Sequence, residues 1–212
     1  HTDNRRQRQM CIRDRYDFIW PEVTKWDGHQ PVPPMSKDEE FTRAMALAYF
    51  DYLRKSWSGG FVVSLSGGAD SAAVSCLARV MLDLALAELG EGRLRARLPH
   101  LDLPEETKDW MRTLLFCAYQ GTKNSGDVTR NAARAVAEAI GCDYAEWEVD
   151  QFVEGYESTI ESVMGRSLSW EKDDITRQNI QARVRAPGIW MMANIRNSLL
   201  LATSNRSEAA VG

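Results

Sequence analysis

Residues 66–71, Ser-Gly-Gly-Ala-Asp-Ser, constrain the fold of this chain more than any other segment. They follow the short apolar run at 61–65, which has the length and composition of a buried strand, and helical apolar spacing begins at Ala69. Two glycines allow a tight turn and let phosphate oxygens reach the main-chain N–H groups without obstruction by Cβ atoms. The N–H groups at the start of the helix point at the same place. The pattern therefore predicts an anion-binding loop between a strand and a helix.

The side chains of this loop favour a nucleotide accompanied by a metal ion. The hydroxyls of Ser66 and Ser71 can donate to phosphate oxygens, whereas the Asp70 carboxylate repels a bare phosphate unless Mg²⁺ bridges the two. The alternative is a glycine-rich turn in which Ser71 only caps the helix. The pattern GxxxxGK[ST] of P-loop hydrolases and the pattern GxGxxG of Rossmann dehydrogenases are both absent from the chain.

Strand-like and helix-like segments alternate along the chain, which predicts an α/β fold with three layers, α/β/α, around a mostly parallel, twisted sheet. Ligands of such sheets bind at the carboxyl ends of the strands. The expected strands are 61–65, 113–118, 143–149 and 199–202, and the expected helices are 36–55, 69–89, 128–140, 152–164 and 173–197 with an interruption at Pro187. The buried side of the second helix is expected to carry Ala72, Ala73, Cys76, Leu77, Val80, Met81 and Leu84.

Residues 90–111 are charged and irregular, with a short helix expected after Pro104. The segment is longer than the roughly 2–6 residues usual between a helix and the next strand. It is expected to contact either another subunit or a neighbouring domain.

Charge and cysteine content exclude several classes of protein. The net charge is −4, and residues 1–15 hold five arginines against two aspartates, which leaves −7 on the rest of the chain. Such an acidic chain does not coat a nucleic acid with its surface. No apolar run approaches the roughly 18 residues of a membrane span. The cysteines at 11, 76, 117 and 142 form no CxxC pair, so we expect reduced thiols and a cytoplasmic protein.

The two ends of the chain differ from its middle. Residues 1–35 are expected to be disordered or a linker, because they lack apolar periodicity and include the proline-rich stretch 21–34. The run MCIRDR at 10–15 resembles translated sequencing-adapter read-through, so a non-native origin of residues 1–15 stays open and no function is based on them. The folded domain is expected at 36–212, where Ser36 and Glu39 have the spacing of a capping box. The chain stops about one turn after Ser207, and we expect the domain to be truncated there.

The segment SGGADS resembles the pyrophosphate loop (PP-loop) of the N-type ATP pyrophosphatases, which cleave ATP between its α and β phosphates. Four segments occur in the order found in one branch of that superfamily, the glutamine-dependent NAD synthetases. They are GFVVSLSGGADSAAVSCL, YQGTKNSGDVTRNAARAVAEAIG, NIQARVRAP and LLLATSNRSEAAVG. The resemblance covers about residues 36–212 and implies an adenine nucleotide alpha hydrolase-like fold, incomplete at its C-terminus.

Site residues follow from this resemblance by position. It implies Mg²⁺ as cofactor, with Asp70 and Glu208 as metal ligands, and Glu208 alternatively as a contact to the dinucleotide. It implies that deamido-NAD is held by Asn179, Arg183 and Glu208, at a subunit interface. It implies that ATP is bound by Ser66, Gly67, Gly68, Ala69, Asp70, Ser71 and Thr203.

The chemistry that the resemblance implies needs no protein nucleophile. Deamido-NAD is adenylated by ATP, pyrophosphate leaves, and ammonia displaces AMP to give NAD. The resemblance also implies that glutamine supplies the ammonia through an amidase domain, which we expect to be missing from this chain, and that the complete enzyme is at least a homodimer. From charge and hydropathy we expect neither a nucleic-acid nor a membrane partner. We expect the chain by itself to be inactive or nearly so.

Alternatives stay open at this point. Arg183, with Asp173 or Asp174, also fits a solvated helix face, Thr203 a locally bonded strand end, and Glu208 a helix start. The same loop also suits a GMP synthetase-like or thiolating enzyme, or a nucleotide-binding module without turnover. The segments NIQARVR and TSNRSEAAVG favour the NAD synthetase interpretation over these.

Overall fold

The computed structural model of the protein describes residues 35–203. Expectations that concern residues 1–34, Cys11 among them, and Glu208 lie outside the described residues. The described strands are β1 (Phe61–Ser64), β2 (Leu115–Gly121), β3 (Asp143–Glu148) and β4 (Leu199–Leu201). The described helices are α1 (Lys37–Ser56), α2 (Ala69–Arg97), α3 (Trp110–Leu114), α4 (Asp127–Ile140), α5 (Asp150–Met164), α6 (Trp170–Arg183) and α7 (Arg185–Ile195), and a 3₁₀ turn spans Thr107–Asp109.

The four described strands form one parallel sheet in the order β3-β2-β1-β4. Phe61 of β1 pairs with Leu115 on one side and with Leu199 on the other. From β1 the chain therefore builds outward through β2 and β3, then returns to place β4 on the opposite side of β1. Between β1 and β4 the direction of strand addition reverses, and crevices at such points bind ligands in open α/β sheets.

Apolar side chains cover both faces of the sheet. One face, with Phe61 and Val63, packs against α1, α2 and α4. The opposite face, with Val62 and Phe116, packs against Ile189 and other apolar residues of α7. Burial on both faces explains the nearly continuous apolar sequences of β1 and β2. The expected three-layer α/β/α architecture with a parallel sheet is confirmed.

Residues 90–111 were expected to be irregular, and this is wrong for much of the segment. Helix α2 continues to Arg97 across a kink at Gly90, whose φ is +71°. The glycine weakens helical spacing in the sequence, but burial of Leu94 and Leu98 stabilises the continuation. Arg95 stabilises the connection that follows, because it donates hydrogen bonds to the carbonyl oxygens of Leu103 and Pro104. Its guanidinium carbon also lies 4.7 Å from the centre of the Trp110 ring. Contact of this segment with another subunit or domain stays a prediction.

The buried side of α2 also differs from the expectation. Ala73 and Cys76 are exposed, whereas Ser71 and Ser75 face the core. Both serines have internal acceptors, since Ser75 Oγ donates to the Ser71 carbonyl at 2.8 Å and Ser71 Oγ donates to the Gly68 carbonyl at 3.2 Å. Two satisfied small hydroxyls can therefore lie where apolar side chains were expected.

Smaller differences concern element ends. Strand β2 begins at Leu115 rather than 113, because α3 occupies the residues before it. The break expected at Pro187 lies at Val184, and Pro187 sits in the first turn of α7, where its missing N–H has no intrahelical partner to lose. Cys76, Cys117 and Cys142 are free thiols, as expected. Among residues 35–203 no helix is both long and apolar enough to cross a membrane.

Candidate functional site

The loop at 65–68 leaves the carboxyl end of β1 and enters α2 at Ala69. Its shape is held by two serines: the Ser66 N–H donates to Ser71 Oγ at 3.2 Å, and the two hydroxyls lie 3.0 Å apart. The Gly68 N–H donates to Ser66 Oγ at 3.2 Å. Ser71 is only 3% exposed, so in this conformation its hydroxyl supports the loop from inside. Direct contact of Ser71 with ATP stays a prediction.

The structure requires glycine at only one of the two glycine positions of the loop. Gly67 has φ +81°, and a Cβ built on it would lie 2.2 Å from the Thr129 carbonyl oxygen at the start of α4. Only glycine fits both the backbone conformation and that contact. Gly68 has φ −90°, which any residue adopts, and a Cβ there would meet only Ser66 Oγ at 3.3 Å.

The first turn of α2 is available to an anion. Gly68 is the N-cap residue, and no side chain caps the helix. Ala69 and Asp70 are exposed at this end. Uncapped N–H groups at the start of a helix this long, together with the dipole, favour a phosphate group. The expected anion-binding geometry is therefore present at the sheet's switch point.

Asp70 suits a metal ion that arrives with a nucleotide. Its carboxylate is exposed, and no cation of the described chain pairs with it. Residues 35–203 contain no cluster of three or more histidine, cysteine, aspartate or glutamate residues that could hold a metal by themselves. A single carboxylate beside phosphate oxygens is a typical arrangement for Mg²⁺. Asp70 thus fits the implied ion, while Glu208 lies outside the described residues.

A second loop, residues 121–126, borders the first. It follows β2 and is closed by the Ser125 hydroxyl, which accepts from the Thr122 N–H at 2.8 Å. Asp150 of α5 accepts from the Lys123 N–H at 2.7 Å. Because Gly67 lies directly against Thr129, the start of α4, which follows this loop, forms a wall beside the phosphate loop.

The structure does not bring Asn179 and Arg183 to the phosphate loop. Both are exposed on α6, where Arg183 donates to Asn179 Oδ1 at 2.5 Å. The neighbouring face of α6 carries Arg177 and Gln181, which line a cavity of about 220 Å³ together with Lys123 and other residues of the second loop and α5. Arg177 pairs with Glu157 at 2.8 Å and stacks 4.5 Å from the ring centre of Trp170.

Asp173 is not a solvated surface charge. It accepts two hydrogen bonds from Arg166, at 2.7 and 2.8 Å, and one from the Ser169 N–H at 3.0 Å. The Arg166 guanidinium, followed by the Ser169 N–H, holds the pKa of the Asp173 carboxyl well below its usual range. Asp173 therefore fixes the connection between α5 and α6.

Thr203 lies at the carboxyl edge of the sheet. It is exposed and follows β4, whose Leu201 pairs with Val63 of β1. Two residues beyond that pair, Thr203 is level with Leu65, directly before the phosphate loop. Thr203 thus follows β4 on the other side of the switch point from that loop, and its contact with ATP stays a prediction.

Gln120 is the site-edge residue that sequence reasoning missed. It lies at the end of β2, is 6% exposed, and its Nε2 donates to Ser64 Oγ at 3.1 Å. Arg185 donates through Nε to the Gln120 carbonyl at 3.2 Å. The available signal was the polar residue that ends the apolar run of β2, inside the segment YQGTKNSGD.

Comparison with known proteins adds a family to this geometry. A family model described as NAD synthase matches residues 42–212. The glutamine-dependent NAD(+) synthetase of Oryza sativa subsp. indica is 29% identical over 82% of this chain and 27% of its own length. The human protein of that name is 26% identical over 92% of this chain and 30% of its own length.

Solved structures agree with these matches. The crystal structure of a glutamine-dependent NAD(+) synthetase from Cytophaga hutchinsonii is 48% identical with a TM-score of 0.79, over 84% of this chain and 33% of that chain. The synthetase from Acinetobacter baumannii in complex with ADP shares the fold, at 21% identity and a TM-score of 0.62, over 87% of this chain and 29% of that chain. The chain thus spans about a quarter to a third of the length of these relatives.

Proposed function

We propose, starting from the fact that this chain belongs to the NAD synthase family, that it forms the synthetase part of a glutamine-dependent NAD synthetase. The fold is that of the PP-loop, adenine nucleotide alpha hydrolase-like proteins. The activity proposed is a ligase reaction that converts deamido-NAD to NAD and splits ATP into AMP and pyrophosphate. The observation that carries it is the loop at 66–71, which presents the uncapped start of α2 at the switch point of the sheet.

The reaction needs alignment more than it needs a reactive side chain. A carboxylate oxygen of deamido-NAD attacks the α-phosphorus of ATP, a P–O bond forms, and pyrophosphate leaves. The nitrogen of ammonia then attacks the activated carbonyl carbon, loses a proton, and AMP leaves. The N–H groups at the start of α2 stabilise phosphate charge, and the Ser66–Ser71 contact keeps them in place.

Asp70 would hold Mg²⁺, and Glu208 is proposed as a second ligand. The ion neutralises charge on the phosphates when it is bound. Asp70 keeps its carboxylate exposed beside the helix start, without a competing cation in the described chain. The ADP complex of the Acinetobacter relative supports nucleotide binding by this fold.

The exposure of Asn179 and Arg183 supports a site completed by a second copy of the chain. Both side chains are accessible on α6 and not directed to residues 66–71 by any hydrogen bond. We place deamido-NAD against these two residues, Thr203 against ATP, and Glu208 against either the dinucleotide or the metal. At least a homodimer is then needed for turnover.

The source of ammonia is proposed to be glutamine, hydrolysed by a separate amidase domain. The relatives described above from Oryza sativa, human and Cytophaga hutchinsonii are named glutamine-dependent, and the chain spans about a third of each or less. We place the enzyme in the cytoplasm on the basis of its cysteine pattern, with no nucleic-acid or membrane partner.

The test is an assay of NAD formation by the chain together with the sequence that flanks it in its gene. ATP, Mg²⁺, deamido-NAD and ammonium chloride should give NAD, AMP and pyrophosphate in equal amounts. Asp70→Asn should lower the rate by about 10²–10³. Asp102→Asn is the matched control, because Asp102 is also exposed but precedes β2 at the opposite edge of the sheet. Product from xanthylate but not from deamido-NAD, or ATP binding without turnover, would contradict the proposal.

A further inference from the structure

Gln120 connects the phosphate loop to the next strand of the sheet. Its Nε2 donates to Ser64 Oγ at 3.1 Å, and Ser64 ends β1 two residues before Ser66. Gln120 is 6% exposed, so this hydrogen bond is shielded from water. The position of the amide therefore bears directly on where the loop leaves the sheet.

Arg185 connects the same residue to the helix that carries Asn179 and Arg183. Its Nε donates to the Gln120 carbonyl at 3.2 Å, and its Nη1 donates to the carbonyl of Gln181 in the last turn of α6. Arg185 is the first residue of α7, directly after the break at Val184. It thus fixes the end of α6 against the carboxyl edge of β2.

Hydrogen bonds to the main chain of Gln120 and from its side chain together join the two proposed substrate sites. The path runs from Gln181 of α6 through Arg185 and Gln120 to Ser64, and from there along the chain to the phosphate loop. Among the described hydrogen bonds, no shorter path joins α6 to residues 64–71.

Stability alone gives little reason for a glutamine here. Gln120 Oε1 is buried and has no hydrogen-bond partner within residues 35–203. It faces Gly188 of α7, where a Cβ would lie 3.5 Å from it. A buried acceptor without a donor is costly, and an apolar side chain of the same shape would avoid that cost.

We propose that Gln120 is a positioning residue: its side-chain amide holds Ser64 at the end of β1, relative to the Gln120 main chain that Arg185 fixes against α6, and so sets the distance between the phosphate loop and α6. The inference rests on the proposed function. Attack of a carboxylate on the α-phosphorus depends steeply on that distance, because a misplacement of about 1 Å can cost about 10² in rate. This geometry, rather than stability, then accounts for a glutamine whose Oε1 is buried without a hydrogen-bond partner.

The test compares Gln120→Met with the wild type, each with its natural flanking sequence. Methionine has a similar length but neither donor nor acceptor of comparable strength. We expect kcat for NAD formation to fall about tenfold, with KM for ATP and for deamido-NAD changed less than about threefold. The thermal unfolding midpoint should stay close to that of the wild type, because removal of the unpartnered oxygen offsets loss of the hydrogen bond to Ser64.

Ser64→Ala provides a second variant that tests the same link from its other end. It should lower kcat by itself and add nothing to Gln120→Met, because both changes remove one hydrogen bond. Gln151→Met is the matched control: Gln151 is exposed on α5, so all three kinetic parameters should stay at wild-type values.

The outcomes separate the inference from the function on which it rests. A kcat of Gln120→Met within about twofold of the wild type, or effects of Ser64→Ala and Gln120→Met that multiply, overturns the positioning role. A lowered unfolding midpoint with all kinetic parameters worsened together assigns Gln120 to ordinary packing and also overturns it. A wild-type protein that forms no NAD refutes the proposed function itself.

Discussion

Replacing Gly67 by alanine tests the central contact of the phosphate loop. The new Cβ would lie 2.2 Å from the Thr129 carbonyl oxygen, about 1.2 Å short of the 3.4 Å at which ordinary contact begins. Neither side yields easily, because Thr129 Oγ1 lies 3.0 Å from the Tyr119 hydroxyl and the loop is closed between Ser66 and Ser71.

The cost can be worked from the two effects involved. A non-glycine residue at φ +81° costs about 1–2 kcal/mol, and overpacking of this kind costs about 1–3 kcal/mol. The free energy of unfolding should therefore fall by about 2–5 kcal/mol. If the loop shifts instead of the fold failing, the rate of NAD formation should fall about 10²-fold.

Urea denaturation followed by far-ultraviolet circular dichroism measures the first quantity, and Gly68→Ala is the matched control. Its φ of −90° suits alanine, and its Cβ would meet only Ser66 Oγ at 3.3 Å. A loss within about 1 kcal/mol is expected for that variant. Equal losses for Gly67→Ala and Gly68→Ala would refute the reasoning from backbone conformation and close approach.

Three further predictions concern the scaffold. Arg166 and the Ser169 N–H lower the pKa of Asp173, so the stabilisation from its carboxylate is complete above the unfolded pKa of about 3.9 and is lost as pH falls through the lower folded value. Asp173→Asn should therefore destabilise the protein at pH 7 and flatten the fall in its stability at acid pH. An unchanged dependence of stability on pH would contradict this. Gly188→Ala should raise the thermal unfolding midpoint and add up to about 1 kcal/mol to the free energy of unfolding, because alanine favours the helix and its Cβ makes ordinary contacts at 3.4–3.5 Å. A lowered midpoint would show that these contacts are too tight. Leu94→Ala should cost about 2–5 kcal/mol in urea denaturation, since Leu94 is 1% exposed, whereas an irregular surface segment at this position would lose almost nothing.

The local chemistry of the loop could be predicted from consecutive residues. A buried strand, two glycines and a helix start occur within the stretch 61–71, so periodicity and turn rules locate the anion site without reference to the rest of the chain. The structure has the expected strand, turn and helix start at these residues, and it distinguishes the two loop glycines, because Gly67 but not Gly68 has a positive φ and a close backbone neighbour. Contact of the loop with ATP stays a prediction.

Predictions failed where burial depends on distant partners. Gly90 in the sequence indicates a helix end, yet the helix continues beyond it because Leu94 and Leu98 are buried in the core. Ser71 and Ser75 were not among the residues expected on the buried side of α2, yet both face the core with their hydroxyls satisfied. A sequence pattern predicts burial from the polarity of each residue, whereas in the folded chain burial depends on which distant residues pack against it.

The order of residues along the chain was enough to predict the parallel α/β class, the strand–loop–helix geometry at 61–71 and the family, because each rests on local patterns: alternating strand and helix periodicity, adjacent turn residues, and short segments in a fixed order. Only the folded chain shows that β4 returns across the sheet to lie beside β1, and this return sets the position of the switch point. The link from α6 through Arg185 and Gln120 to Ser64 joins residues more than a hundred positions apart. Such contacts leave no periodic trace in a single sequence, since they exist only once the chain has folded back on itself.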